Sequence, residues 1–286
     1  MMEGQIVRRN DPPIIGDDRI QEVLSAEALD ELKRARIFLE TPTLAVRLTN
    51  FIGGPIMMGI GLLPKRWSKA IMHLAEFSLR RAMEAALFSL DRKTAVKRSS
   101  DQTHRLAAIV SGAIGGAFGL PALFVELPIS TTIMLRSIAD IARSEGEPLE
   151  TMEARLACLE VFAFGGRSIK DDASETGYYV VRLALGKAVT EAATHLVRKG
   201  LAGESAPVMI RLLSAIASRL GMVWSEKMVA MAIPLVGAMG GSVANAVFIS
   251  HFQKMARGHF IIRRLERTWG RDVIERKYKQ LGLAGA

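Results

Sequence analysis

Apolar positions recur at helical spacing along most of the chain. "DDRIQEVLSAEALDELKRARIFLE" carries them every three or four residues behind Asp18, a candidate N-cap. "KRWSKAIMHLAEFSLRRAMEAALFSL" repeats the pattern behind Pro64. A first helical turn tolerates proline because the missing N–H would have no partner there. Ser100 or Asp101 is placed to cap a third helix, and "PISTTIMLRSIADIARSEG" gives another, with Gly146 just past its end. Asp172 and Glu175 have capping-box spacing ahead of a helix that runs towards Gly200. Ser205 with Pro207 opens the next, ending near Gly221, and Ser225–Glu226 opens another. Alternating β-branched runs bounded by hairpin turns are missing, and "YYVV" sits in a helical context. The expected fold class is all-α, a single multi-helix domain of about nine to eleven helices. It occupies residues 19–286, behind a mobile polar lead at 1–18.

Two segments depart from the amphipathic pattern. Residues 106–125 and 228–253 carry no formal charge, and both reach the roughly 20 residues that a membrane-spanning helix needs. Small residues lie on one face of each: Gly112, Gly115, Gly116 and Gly119 in the first, Gly237, Gly240 and Gly241 in the second. Removing side chains from a helix face lets a neighbouring backbone approach closely. Pro121, Pro128 and Pro234 break these runs, and Glu126 and Asn245 place polar groups in them. "SDQTHRLAAIVSGAIGG" from Ser100 also aligns without gaps to "SEKMVAMAIPLVGAMGG" from Ser225, so the same design occurs twice. The expectation is two glycine-rich helices packed at the centre of the domain, with partial insertion into a bilayer or true spanning as the alternatives.

Charge sharpens this reading. Lys65 to Arg105 is locally +6, Arg136 to Lys227 is neutral, and Lys254 to Lys279 is again +6. The basic blocks flank the apolar runs, which points to an anionic partner: membrane lipid, or a membrane protein in a lipid setting. Low aromatic content (6%) and the lack of a recognition motif rank nucleic acid last. Cys158 is the only cysteine, so no disulfide framework exists within the chain. The first 18 residues contain no apolar h-region, and a cytoplasmic location at the inner face of the cell membrane is expected.

The C-terminal stretch "HFQKMARGHFIIRRLERTWG" combines an apolar stripe with cations. Lys254, Arg257, Arg263, Arg264, Arg267 and Trp269 are candidates for contact with anionic lipid. The competing reading is a docking helix whose arginines are solvated or paired with acids such as Glu266. Taken with "GAIGGAFGLPALFVELPISTTIMLRSIADIARSEG" and "GAMGGSVANAVFIS", this stretch resembles the bacterial EcsC family over most of the chain after about residue 25. That family is named for a gene beside an ABC-transporter operon. The resemblance implies a neighbourhood of membrane transport or protein secretion, and brings no catalytic residues with it.

Reaction chemistry is sparse. Phosphate-loop and HExxH motifs are missing, and the lone cysteine cannot build a zinc site. "GGSVA" around Ser242 lacks the strand and the final glycine of a nucleophile elbow. No metal or cofactor is expected. The residues left with chemical potential are Glu126, Arg136, Asp140, Arg257, His251 and His259, which a helical fold could gather into one polar cluster. A hydrolase-like enzyme using Glu126, Asp140 and His259 is therefore the alternative to a non-enzymatic membrane-associated protein. Self-association through the glycine-rich helices is a further expectation.

Overall fold

The computed structural model describes residues 24–40, 65–89, 123–164, 177–199, 207–232 and 237–283. Among them there are eight helices and no strand: α1 Ala26–Leu39, α2 Lys65–Ser89, α3 Leu123–Ser144, α4 Met152–Phe164, α5 Gly177–Lys199, α6 Pro207–Ala232, α7 Gly237–Trp269 and α8 Arg271–Leu283. The all-α expectation holds. The polar lead and Gly112, Gly115, Gly116 and Gly119 lie outside the described residues. Gly237, Gly240 and Gly241 fall in the first turns of α7.

Among the described residues, α4 holds the centre. It packs against α2, α3, α5, α6 and α7, and every residue from Ala154 to Phe164 is buried. A helix enclosed on all sides has no polar face to contrast with an apolar one, so "MEARLACLEVFAF" shows no stripe. The five surrounding helices form a ring. Neighbours pack in the order α2, α3, α7, with α5, α6 and α2 completing it. Side-chain bonds from Tyr178 and Arg182 to His259 and Glu266 join α5 to α7. Outside this ring, α1 and α8 pack on α7 and on each other.

Several predicted helix ends move. α1 starts at Ala26, where the Ser25 hydroxyl accepts from the Ala28 N–H at 3.1 Å, so Ser25 is its cap rather than Asp18. α3 runs through Pro128, because a proline so near the N-terminus frees only a first-turn carbonyl. α6 continues past Gly221 to Ala232; Ser225 does not cap a new helix but bonds back to the Gly221 carbonyl at 2.9 Å. Gly146 does end α3, at φ +75°, in a Schellman pattern in which Glu147 N–H donates to Ala142 O and Gly146 N–H to Arg143 O.

Gly258 sits inside α7 without breaking it. A Cβ there would lie 2.6 Å from Leu39 Cγ and 2.8 Å from the Ala35 carbonyl oxygen, so α1 crosses α7 at this glycine. Gly186 on α5 is the opposite case, with nothing within 4 Å of the added atom. Alanine raises helix propensity by about 1 kcal/mol at either site, but at Gly258 overpacking of roughly 1–3 kcal/mol opposes it. Urea unfolding is therefore expected to show Gly186→Ala stabilised and Gly258→Ala destabilised. Equal shifts of the two midpoints would refute the close crossing.

Candidate functional site

Parallel pairing of α3 with α7 decides where the predicted polar residues go. Glu126 accepts from Asn245 Nδ2 at 2.8 Å, and Gln253 Nε2 donates to Ser137 Oγ at 2.9 Å. At the far end Arg264 Nε donates to Glu145 and Arg263 Nε to Glu147. His259 lies fourteen residues beyond Asn245 on the same helix, which puts it about 20 Å from Glu126 along the axis. Asp140 is likewise fourteen residues beyond Glu126, on α3; it pairs with Arg143 at 3.0 Å, while Arg136 is exposed. His251 is buried with its ring 5.4 Å from Phe252. Glu126 is thus one level of the helix pair away from both Asp140 and His259; these two fall at a similar level but take different partners, Arg143 and Tyr178, so the expected cluster around Glu126, Asp140 and His259 is not drawn together.

The C-terminal arginines Arg263, Arg264 and Arg267 are paired within the fold, although the side chains of Arg264 and Arg267 remain 36% and 40% exposed. The α3–α4 turn through Gly146 aims Glu145 and Glu147 at α7. Glu147, its side chain 1% exposed, takes Arg263 at 2.9 Å and also Arg267. Arg264 bridges Glu145 and Glu31, both at 2.8 Å, and so ties α1 to the turn. Lys254 and Arg257 are half-buried and have partners, and Trp269 packs on the core. Arg263, Arg264 and Arg267 thus meet carboxylates where α7 docks, in keeping with the competing reading of a docking helix. Glu266, expected as a partner for those arginines, instead binds Arg182 of α5 through two bonds of 2.7 and 2.6 Å.

A different buried cluster forms where α4, α5 and α7 meet. His259 Nδ1 bonds the Tyr178 hydroxyl at 2.9 Å, Phe164 lies against both rings, and His259 Nε2 has no hydrogen-bond partner. Burial, then the Arg182 and Arg263 charges, hold this imidazole neutral well below its ordinary range. Glu160 of α4 is buried with Oε1 unpartnered; burial pushes it up to about 7, against the opposing pull of Arg182, Arg263 and Arg271. Cys158, two residues earlier and so towards the opposite side of α4, is buried, and burial raises its thiol, which makes it a poor nucleophile. Sequence reasoning found His259 but missed Glu160, whose only local signal is an acid within an apolar run.

The described residues from 123 to 265 carry these motifs on the packed helices α3 to α7. Compared with known families, residues 48–265 match the EcsC protein family. The chain belongs to the EcsC family. Curated proteins and solved structures give no match. The match takes in the ring and α4, whereas α1 and α8 lie outside it. Among the described residues of this EcsC body, no three His, Cys, Asp or Glu side chains converge as metal ligands.

The other side of the ring has a contrasting surface. Six of the eight exposed large apolar side chains among the described residues lie on α2, α5 and α6: Phe77, Val180, Leu183, Val197, Ile210 and Met222. Pro207–Ser225 on α6 is the one described helical stretch long and apolar enough to cross a membrane, and half of it is buried in the fold. Lys69, Arg80 and Arg211 are exposed on α2 and α6.

Proposed function

We propose that this protein is a non-enzymatic, peripheral membrane protein that meets an anionic bilayer through the exposed faces of α2, α5 and α6. The observation that carries the reading is the apolar surface of these three helices, with exposed cations on each. Phe77, Ile210 and Met222 offer apolar area to the acyl boundary, and Lys69, Arg80 and Arg211 stand beside it. Each such cation contributes roughly 1 kcal/mol at an anionic surface, which suits reversible adsorption better than permanent insertion. Binding rather than catalysis is favoured because Glu126 lies about 20 Å along the axis from Asp140 and His259, which themselves take different partners, Arg143 and Tyr178. The family's link to a transporter operon supports an accessory role in transport or secretion at the cytoplasmic face of the membrane.

Flotation with liposomes tests this. Wild-type protein is expected to float with vesicles containing phosphatidylglycerol at low salt, to detach as salt rises, and to ignore pure phosphatidylcholine. Lys69→Glu combined with Arg211→Glu should reduce flotation, while Arg276→Glu on α8 should not. Absence of binding to anionic vesicles at low salt would overturn the proposal.

A further inference from the structure

The surface of α2 and α6 contains a groove of about 260 Å³ lined by His73, Glu76, Phe77, Arg80, Ile210, Leu213 and Ser214. Its volume lies below the roughly 300–1,000 Å³ of sites that enclose a drug-sized ligand. A polar headgroup with its first methylenes suits that size, and a whole lipid does not.

The charges in the groove have an unusual arrangement. Glu76 and Arg80 are spaced i, i+4 in the order that favours a helical ion pair. This chain forms the acid-first pair at Glu275–Lys279, and even the less favoured cation-first pairs at Lys187–Glu191 and Arg271–Glu275. Here the Ser214 hydroxyl donates to Glu76 Oε1 at 2.7 Å, across from α6. No ion pair joins Glu76 to Arg80. An acceptor and a cation one turn apart are thus presented side by side rather than neutralising each other. Ser214 spends its proton on Glu76 and not on His73, so a serine–histidine relay is not built.

Building on the membrane reading above, we infer that the α2–α6 groove seats the headgroup of a glycerophospholipid whose headgroup carries an O–H or N–H donor. The phosphate lies on Arg80 and His73, and the headgroup donor meets Glu76. The glyceryl carbons rest on Phe77, Ile210 and Leu213. Two contacts of opposite polarity define the preference. Phosphatidylglycerol and phosphatidylethanolamine satisfy both, whereas the choline headgroup has no proton to give Glu76.

Water-soluble dihexanoyl lipids test the assignment on the full chain by calorimetry, with melting curves checking that each variant is folded. Dihexanoylphosphatidylglycerol should bind at least tenfold more tightly than dihexanoylphosphatidylcholine. Arg80→Glu should weaken phosphatidylglycerol binding at least tenfold, Glu76→Ala should abolish the preference between the two lipids, and Arg276→Glu should change neither. Ile210→Glu, at an exposed position on the rim, is a second variant expected to block the groove. Unchanged affinity in Arg80→Glu and Ile210→Glu overturns the inference, as does inorganic phosphate competing as well as the lipid. Wild-type protein that floats with anionic vesicles yet fails to bind the soluble lipid refutes the groove alone. Failure to float at all refutes the membrane reading.

Discussion

Replacing Glu147 by alanine is expected to cost roughly 3 kcal/mol and to lower the melting temperature by on the order of 6–10 °C. The carboxylate is almost fully enclosed and serves both Arg263 and Arg267. Its removal leaves Arg263, itself only 17% exposed, with the more distant Glu153 carboxylate at 3.8 Å. Removing one partner of a buried pair strands the other charge, which is why the loss exceeds what an exposed pair contributes. Arg263→Ala should be similarly harmful, and the double variant much less so than the sum of the two. Additive losses in that double-mutant cycle would show that the pair is not coupled. The same variants distinguish a docking helix from a lipid-binding one. Arg263→Ala should alter thermal stability, whereas a lipid-contact arginine would alter flotation at unchanged stability.

The second large effect concerns pH. Folded Glu160 titrates at about 7 against an ordinary 4.5. Between these values the folded chain keeps a proton that the unfolded chain has lost, so stability falls as pH rises through the window. The full cost above pH 7 is about 3 kcal/mol. His259 works in the opposite sense. It is neutral in the fold well below 6.5, while the unfolded chain binds a proton there, so stability falls as pH drops below 6.5. From about pH 5 to 6.5 the two slopes oppose each other, and wild-type stability should be nearly flat in their sum. Glu160→Gln should unmask a rise of stability with pH, His259→Asn a fall, each approaching about 1.4 kcal/mol per pH unit. Glu160→Gln should also gain on wild type at pH 8, with the gain fading towards pH 4.5. Parallel profiles for the two variants would overturn this account of the cluster.

Periodicity made the fold class legible, because α1, α2 and α3 each turn a polar face to solvent and an apolar one to the core. Gly146 was readable as a helix end for the same local reason. α4 was not, since a helix surrounded on all sides carries no contrast between faces. A helix break was over-read at Gly221, which sits close to Ile71 inside an unbroken helix. The candidate site was the least legible part. Glu147–Arg263 and Glu31–Arg264 are 116 and 233 residues apart, and no local pattern announces such partners. The basic C-terminal block looked free because its carboxylates arrive from an earlier turn and from the first described helix.

That first helix also has a consequence for synthesis. Arg36 donates to the Tyr278 carbonyl across 242 residues, and Ala28, Leu32, Ala35 and Leu39 bury themselves in a body that α7 and α8 complete. At roughly 5–20 residues per second, a ribosome needs on the order of tens of seconds to reach those helices after making α1. Throughout that interval the apolar face of α1 has no native seat. A nascent chain that stops before α7 therefore carries α1 with its apolar face uncovered, which chaperones or proteases can recognise. Closure of the fold on α1 thereby reports that translation has run through α7 and α8.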